Sequence, residues 1–364
     1  MRFLKTGLVI LFATIVSFST VQANEATHAQ VAASEAKAFN PKDLIFEHIA
    51  DTYQWHIVSI GENHIAIPLP VIVYSKQTGW HSFMSSNFHH GHTAYEGLEI
   101  AKEGVNHGKI VEIMSDGSQV RPFDISITKN VTSLFVGILL LLIIFLTAAK
   151  RYSENFARAP KGIQSWIEPL VIFIRDEVAI ASIGEKKYAK FLPYLLTIFF
   201  FIFINNLMGL VPLAPGGANL TGNIAVTMVL ALFTFVITIF NGNKAYWMHI
   251  INMPGVPWWL KFPLPLMPMV EIMGFFIKPF VLMVRLFANI TAGHIVVLGF
   301  YSLIFVFGEK NMFAGYGVSV VSIAFTIFMG LIELLVAFIQ AYVFTLLSAI
   351  YFSMAIEEHS EEHH

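Results

Sequence analysis

Cysteine is absent from the 364 residues, which excludes disulfides, thiol catalysis and cysteine-ligated metals. Charge is scarce as well: 13% of the residues are Asp, Glu, Lys or Arg, against 56% hydrophobic residues and 34 Phe. An ordinary soluble domain carries about 25% charged residues, so this composition belongs to a polytopic membrane protein. No Asp follows Asp176, and Arg285 is the only arginine after Arg175. Beyond Lys190 the basic residues are Lys244, Lys261, Lys278, Arg285 and Lys310, five of the 22 Lys and Arg in the chain. That half is a nearly charge-free body with no basic surface for nucleic acid.

Residues 1–23 read as a secretory signal peptide. Arg2 and Lys5 form a basic start, Gly7 to Phe18 an apolar core, and Val21–Ala23 a small-residue cleavage site. An uncleaved first membrane helix is the alternative. Cleavage puts the N-terminus of the mature chain outside the membrane. Residues 24–129 then form an exported segment that holds nine of the 14 His and no run long enough to span a bilayer. Phe39 to Ile57 reads as a short helix punctuated by Asn40 and Pro41. His64 to Ser75 is β-rich, with Pro68 and Pro70 demoting part of it to an edge strand. The expectation is a small α+β segment. Its "FHHGH" stretch, with His89, His90 and His92, is a solvated His-rich loop or, less favoured, a metal cluster.

Residues 130–358 read as a membrane domain, and 359–364 as a C-terminal tail. Val131 to Ala149 is a clean 19-residue span, close to the ~20 residues a bilayer requires. Eight basic residues follow between 150 and 190, which places that side in the cytoplasm. Gly162 to Ser182, interrupted by Pro169, is an amphipathic surface helix. Phe191 to Pro212 runs outward and Asn223 to Phe240 returns. Two apolar patterns of roughly forty residues follow, about Met267 to Phe307 and about Gly317 to Ile356. Each exceeds what an upright span needs, so both helices lie obliquely. The fold class expected is all-α polytopic, with about five membrane helices, placed in the cell inner membrane.

The long patterns carry sparse polar groups. Glu271, Lys278 and Arg285 recur every seven residues, on one helical stripe. Asn289 joins the stripe and His294 falls on nearly the opposite face. Glu333 and Gln340 share a face of the last helix. Bland readings exist for most of them. Glu271 and Lys278 form a surface charge pair, Asn289 and Gln340 serve as interhelical hydrogen-bond glue, and His294 pairs with a carbonyl. Arg285 resists one, because a central arginine costs at least about 2.5 to 3.5 kcal/mol in a membrane. No carboxylate lies within one helical turn of it. It therefore needs a partner from another helix or another chain. An arginine cannot carry protons, whereas His and Glu titrate near neutrality once their surroundings shift them. A fixed charge among titratable groups suggests a proton path with a barrier.

At these residues the sequence resembles the a-subunit family of F-type ATP synthases. The resemblance rests on "RLFANITAGH" (Arg285–His294), "EIMGFFIKP" before it, "NNLMGLVP" at Asn205–Pro212 and "IQAYVFTLLSAIYFSMA" at Ile339–Ala355. It covers about residues 130–358, with a weaker likeness at His48–Ile57. Two features depart from many bacterial members: the exported segment, and the order of the His294/Glu333 pair, which resembles the mitochondrial arrangement. The resemblance implies a stator subunit, not catalytic by itself, that needs no cofactor or metal. Its implied partners are a c-ring, the subunit b peripheral stalk and membrane lipid. Arg285 would separate two offset half-channels, and Asn289 and Gln340 would orient water and its side chain. His294 and Glu333, with Asn205, Asn206 and Asn223, would line the external half-channel, and Glu271 the cytoplasmic one. A proton-coupled transporter and an intramembrane hydrolase compete with this reading. The first lacks internal repeats. The second has Ser302, Ser319, Ser322 and Ser348 but neither G-x-S-x-G nor H-E-x-x-H.

Overall fold

The computed structural model describes residues 39–60, 63–91, 93–102, 104–114, 117–154, 160–211, 216–251 and 266–357. The signal-peptide reading, the last six residues and His92 lie outside them.

Chain order begins with α1 (Pro41–Ile49). Asn40 caps it, its side chain accepting from the Lys42 backbone N–H at 3.1 Å, and Pro41 opens the first turn. The helix is shorter than the sequence pattern predicts. The backbone turns extended at Ala50, and Gln54–Ile60 forms β1 instead. Asp51 and Thr52 cause the break, because both bond to the start of the first membrane helix. The Asp51 carboxylate accepts from the Asn130 N–H at 3.0 Å and the Thr128 hydroxyl at 2.9 Å, and the Thr52 carbonyl from the Lys129 N–H at 2.9 Å.

Strands β2 (Asn63–Pro68), β3 (Pro70–Ser75), β4 (Gly79–Met84), β5 (Leu98–Ile100), β6 (Ile110–Ile113), β7 (Gln119–Val120) and β8 (Phe123–Asp124) follow. They make three small antiparallel sheets: β1–β2, β4–β3–β8 and β5–β6–β7. The two prolines act differently. Pro68 ends β2 in a two-stranded sheet, whereas Pro70 is the first residue of the central strand β3, a position that tolerates a missing N–H. On β3 Val71, Val73 and Ser75 are buried while their neighbours are not. Val71 and Val73 join a core of Tyr53, Phe88, Leu98 and Ile110. Its polar members are paired. The Tyr53 hydroxyl donates to Asp124 Oδ2 at 2.5 Å, and the buried Glu112 carboxylate accepts from the Ser75 hydroxyl at 2.6 Å. Burial and the Asp124 carboxylate push the Tyr53 hydroxyl pKa well above its ordinary value, so it stays a donor.

The rest is helical. Among the described residues, five helices are long and apolar enough to cross a membrane. They are α2 (Lys129–Glu154), α5 (Tyr188–Leu210), α6 (Ile224–Asn241), α8 (Leu266–Lys310) and α9 (Met312–Ile356). Between α2 and α5 lies the amphipathic segment. It comprises α3 (Ile163–Phe173), a π-helical stretch Ile174–Ile180 and a last turn α4 (Ala181–Ile183), so Pro169 does not break it. Helix α7 (Lys244–Ile251) follows α6. At roughly 1.5 Å per residue, α8 and α9 are each about 67 Å long, more than twice the ~30 Å hydrocarbon thickness.

Helices α8 and α9 form a hairpin around Asn311, whose side chain caps α9 by accepting from the Phe313 N–H at 2.9 Å. Gly315 is required there, since a Cβ would come within 2.8 Å of the Gly308 Cα. Helix α5 is the central member, packing on both α2 and α9. Its Phe191, Leu195, Ile198, Phe199 and Ile202 are buried, and Phe191 stacks on Phe352 of α9 at 4.9 Å. Helix α9 meets it with a small-residue face of Ala337, Ala341, Thr345, Ser348, Ala349 and Ala355, all buried, which permits close approach without a hydrophobic driving force. Outward-facing leucines and isoleucines on α2, such as Leu139, Leu142, Ile143 and Leu146, are exposed, as lipid contact requires. At the end rich in Lys and Arg, the Asn243 N–H donates to the Ala355 carbonyl at 2.9 Å and Lys187 Nζ to the Ile356 carbonyl at 3.2 Å.

Tyr53→Phe removes the donor to Asp124, and the expected loss is about 1–3 kcal/mol in the β-rich segment. Faster proteolytic nicking of residues 40–128, with the membrane helices still protected, checks it.

Candidate functional site

The polar groups of α8 divide between two faces. Arg285, near the middle of the helix, is exposed on the surface of the chain, and so is Asn289 four residues on. Among the described residues no carboxylate pairs with Arg285. Its charge acts on Tyr351 of α9. Lys278, two turns back, lies over the same ring, its Nζ 5.9 Å from the Tyr351 centroid and 3.9 Å from the Met354 sulfur. Glu271 is half-buried on the same stripe and is the charge that acts on Lys278. The heptad-spaced residues thus share one stripe of α8, half-buried at Glu271 and Lys278 and exposed at Arg285.

His294 lies on the opposite face, as the nine-residue offset predicts. Its Nδ1 is 3.4 Å from Glu333 Oε1, with side-chain exposures of only 13% and 8%. The contact is within ion-pair range but not aligned as a hydrogen bond. Gly293 permits it: a Cβ there would stand 2.9 Å from Glu333 Oε1. Gly209 of α5 borders the other side, where a Cβ would lie 3.7 Å from His294 Nε2. His294 is therefore held between α5 and α9, with glycine on both sides.

The two asparagines of α5 take different partners. Asn206 is buried, donating to the Ala337 carbonyl of α9 at 3.2 Å and accepting from the Thr221 hydroxyl at 2.6 Å. Asn205 faces α2, where Gly137 makes room for it. Its amide donates to the Phe201 carbonyl at 2.7 Å. Thr291 approaches the Gly222 carbonyl at 3.5 Å, which brings the turn before α6 against α8. Glu333 Oε1, Asn205 Oδ1 and both side-chain atoms of Asn219 are among the buried atoms whose hydrogen-bonding capacity no described protein atom meets. Such unmet demand inside an apolar bundle suits bound water.

The remaining residues fall differently. Gln340 is buried one turn pair below Glu333 on α9. Asn223 is the N-cap of α6, its side chain accepting from the Ala225 N–H at 3.0 Å. His89 is exposed. Asn219, Thr221, Thr291 and the glycines 209 and 293 were not visible as site residues in the sequence. The only signal was polarity in "ANLTG" (Ala218–Gly222), a stretch that reads equally well as an external turn.

A family model described as ATP synthase A chain matches residues 131–353. This chain belongs to that family. A second model, described as Domain of unknown function (DUF8433), matches residues 44–129. A curated relative named ATP synthase subunit a 2, from Chlorobaculum tepidum, is 40% identical over 356 residues, covering 95% of this chain and 82% of the relative. ATP synthase subunit a of Chloroherpeton thalassium is 44% identical over 254 residues, 68% of this chain and 72% of the relative. That of Myxococcus xanthus is 39% identical over 285 residues, 76% and 88%. Membership and the five apolar helices together make this a multi-pass membrane protein. The ATP synthase A chain match contains both long helices up to Ser353, and so includes Arg285, His294 and Glu333.

Gly293→Ala forces the Glu333 carboxylate away from α8, at a cost of about 1–3 kcal/mol for overpacking. A lower thermal unfolding midpoint in detergent is the expected readout. Gly299→Ala, where a Cβ meets open space, should leave the midpoint unchanged.

Proposed function

We propose that this chain is the stator of the proton-translocating membrane sector of an F-type ATP synthase, working against a c-ring and held by a subunit b stalk. The observation that carries the reading is the division of polar groups on α8. Arg285 is turned outward without a carboxylate of its own chain among the described residues, while the His294–Glu333 pair is enclosed on the other side. A guanidinium facing acyl chains costs several kcal/mol, of order 2.5 to 3.5 on insertion scales. A carboxylate on a neighbouring rotor removes that penalty.

The side with Lys150, Arg151, Lys186, Lys187 and Lys190 is cytoplasmic by the positive-inside rule. The β-rich segment is then external, and the cell inner membrane is the setting. His294 and Glu333, with Asn205 and Asn206 beside them, line an external half-channel. The unmet hydrogen-bonding capacity of Glu333 and Asn205 suits a hydrated path. Asn223 holds the neighbouring turn through its cap. Glu271, on the outward stripe near the cytoplasmic end of α8, lines the second half-channel. Arg285 lies between the two.

During synthesis a proton passes from the external path to a rotor carboxylate, which becomes neutral and can enter lipid. After nearly a full turn that group returns from the cytoplasmic side. The Arg285 field favours its ionised form, and the proton departs past Glu271. Asn289, beside Arg285, and Gln340 orient water and the guanidinium. Because Arg285 cannot release a proton, it also stops direct leakage between the half-channels. Each charge moved contributes about 2.3 kcal/mol per 100 mV of membrane potential.

In reconstituted synthase vesicles, Arg285→Ala is expected to abolish coupled ATP synthesis while allowing passive proton leak. Normal synthesis in that variant refutes the role. Glu333→Gln should slow proton entry by about tenfold or more, as loss of a positioned acid–base group does, with assembly intact. Unchanged flux on both sides of neutral pH counts against its place in the path.

A further inference from the structure

The sheet β4–β3–β8 is apolar on both faces. Val71 and Val73 of β3 belong to the core, and alternation along the strand puts Pro70, Ile72 and Tyr74 on the other side. The strand register extends that side into three rows. Tyr74 lies opposite both Trp80 and Phe123, with the Tyr74 and Trp80 rings 5.1 Å apart. Ile72 lies opposite Ser82, and its carbonyl accepts from the Ile125 N–H at 3.0 Å. Pro70 lies opposite Met84, and its carbonyl accepts from the Ile127 N–H at 3.0 Å. Ser82 is the one polar residue in these rows. Trp80 is 63% and Phe123 64% exposed, and Tyr74, Met84 and Ile125 are exposed as well. An antiparallel sheet with one face on a core ordinarily turns polar residues outward. A contiguous apolar face here marks a contact surface.

Two observations say what covers it. The strand bearing Phe123, Ile125 and Ile127 leads straight into the first membrane helix, which begins at Lys129. At roughly 3.3 Å per residue, Phe123 stands no more than about 20 Å from that entry point. The charge at the aromatic end is positive: Lys76, just beyond Tyr74, and Arg121, just before Phe123, are both exposed. Trp and Tyr rings suit the layer between water and hydrocarbon, and Lys and Arg beside them suit anionic phosphates.

We propose that the outward face of β4–β3–β8 lies on the bilayer surface beside α2, its aromatic row among the headgroups of anionic phospholipids and Lys76 and Arg121 on their phosphates. The inference goes beyond the proton-stator reading and needs only that α2 spans the membrane. Contact with lipid takes from water an apolar face that the small core behind it cannot bury.

The absence of cysteine makes the test direct. Ser82→Cys places a single bimane label of this chain at the centre of the face, and Val105→Cys places one at a fully exposed position as the water control. The complete synthase carrying each variant is reconstituted in phosphatidylcholine liposomes with and without phosphatidylglycerol, and the unsubstituted complex, labelled in parallel, gives the blank. A nitroxide lipid with its radical near the headgroup is expected to quench the Ser82→Cys label several-fold more than the Val105→Cys label. Iodide on both sides of the membrane should show the reverse order. Phosphatidylglycerol should strengthen the lipid quenching, and Lys76→Gln with Arg121→Gln should abolish that gain. A Ser82→Cys label shielded from both quenchers means that a protein covers the face, and one as open to iodide as Val105→Cys means a bare surface. Either result overturns the proposal, as does lipid quenching indifferent to phosphatidylglycerol. Ile125→Cys on the neighbouring strand repeats the readout, so a disturbed sheet at Ser82 does not decide the outcome.

Discussion

Polar atoms inside hydrocarbon must be paired, hydrated or handed to another molecule, and this constraint organises the whole membrane domain. Each solution occurs at a definite place. Asn206 is paired, between the Ala337 carbonyl and the Thr221 hydroxyl. The threonines of α6 return their hydroxyls to their own helix, and Thr234 also meets Tyr194 at 2.7 Å. Glu333, Asn205 and Asn219 are left with unmet capacity. Arg285 alone of the intramembrane charges on α8 is turned outward near mid-helix. The distribution separates the bundle into a sealed part, a polar part and an interface.

Length explains how one helix serves all three. An α8 of about 67 Å has room for the cytoplasmic-end Glu271, the central Arg285 and His294 beyond it, with partners drawn from different neighbours along the way. Helix α9 runs back beside it over its whole length, which lets Glu333 meet His294 and Tyr351 meet Lys278 on a single hairpin. Glycine sets the closeness: Gly315 at the turn allows a backbone approach that a side chain would block, and Gly293 leaves room for the Glu333 carboxylate. Because both contacts depend on one register, the turn at Asn311 has a long-range consequence for the site.

The β-rich segment obeys a different economy. Its core is small, and its buried acids are matched one by one, Glu112 with Ser75 and Asp124 with Tyr53. Its link to the membrane domain is polar and concentrated at Asp51, Thr52 and Lys129. That polarity fits the boundary between water and lipid, where such groups retain partners on both sides.

The sequence by itself determined the membrane class, the five apolar helices and the placing of Arg285 and His294 on opposite faces of α8. These follow from composition, run length and helical period, all of which are local. It misplaced the end of α1, because the bonds from Asp51 and Thr52 that stop the helix reach residues far along the chain. Contact between His294 and Glu333 and the bonds of Asn206 to the Ala337 carbonyl and the Thr221 hydroxyl were decided only by tertiary structure. The first depends on hairpin register and on glycines that remove steric bulk between helices, and periodicity along one strand of sequence carries no information about register between two.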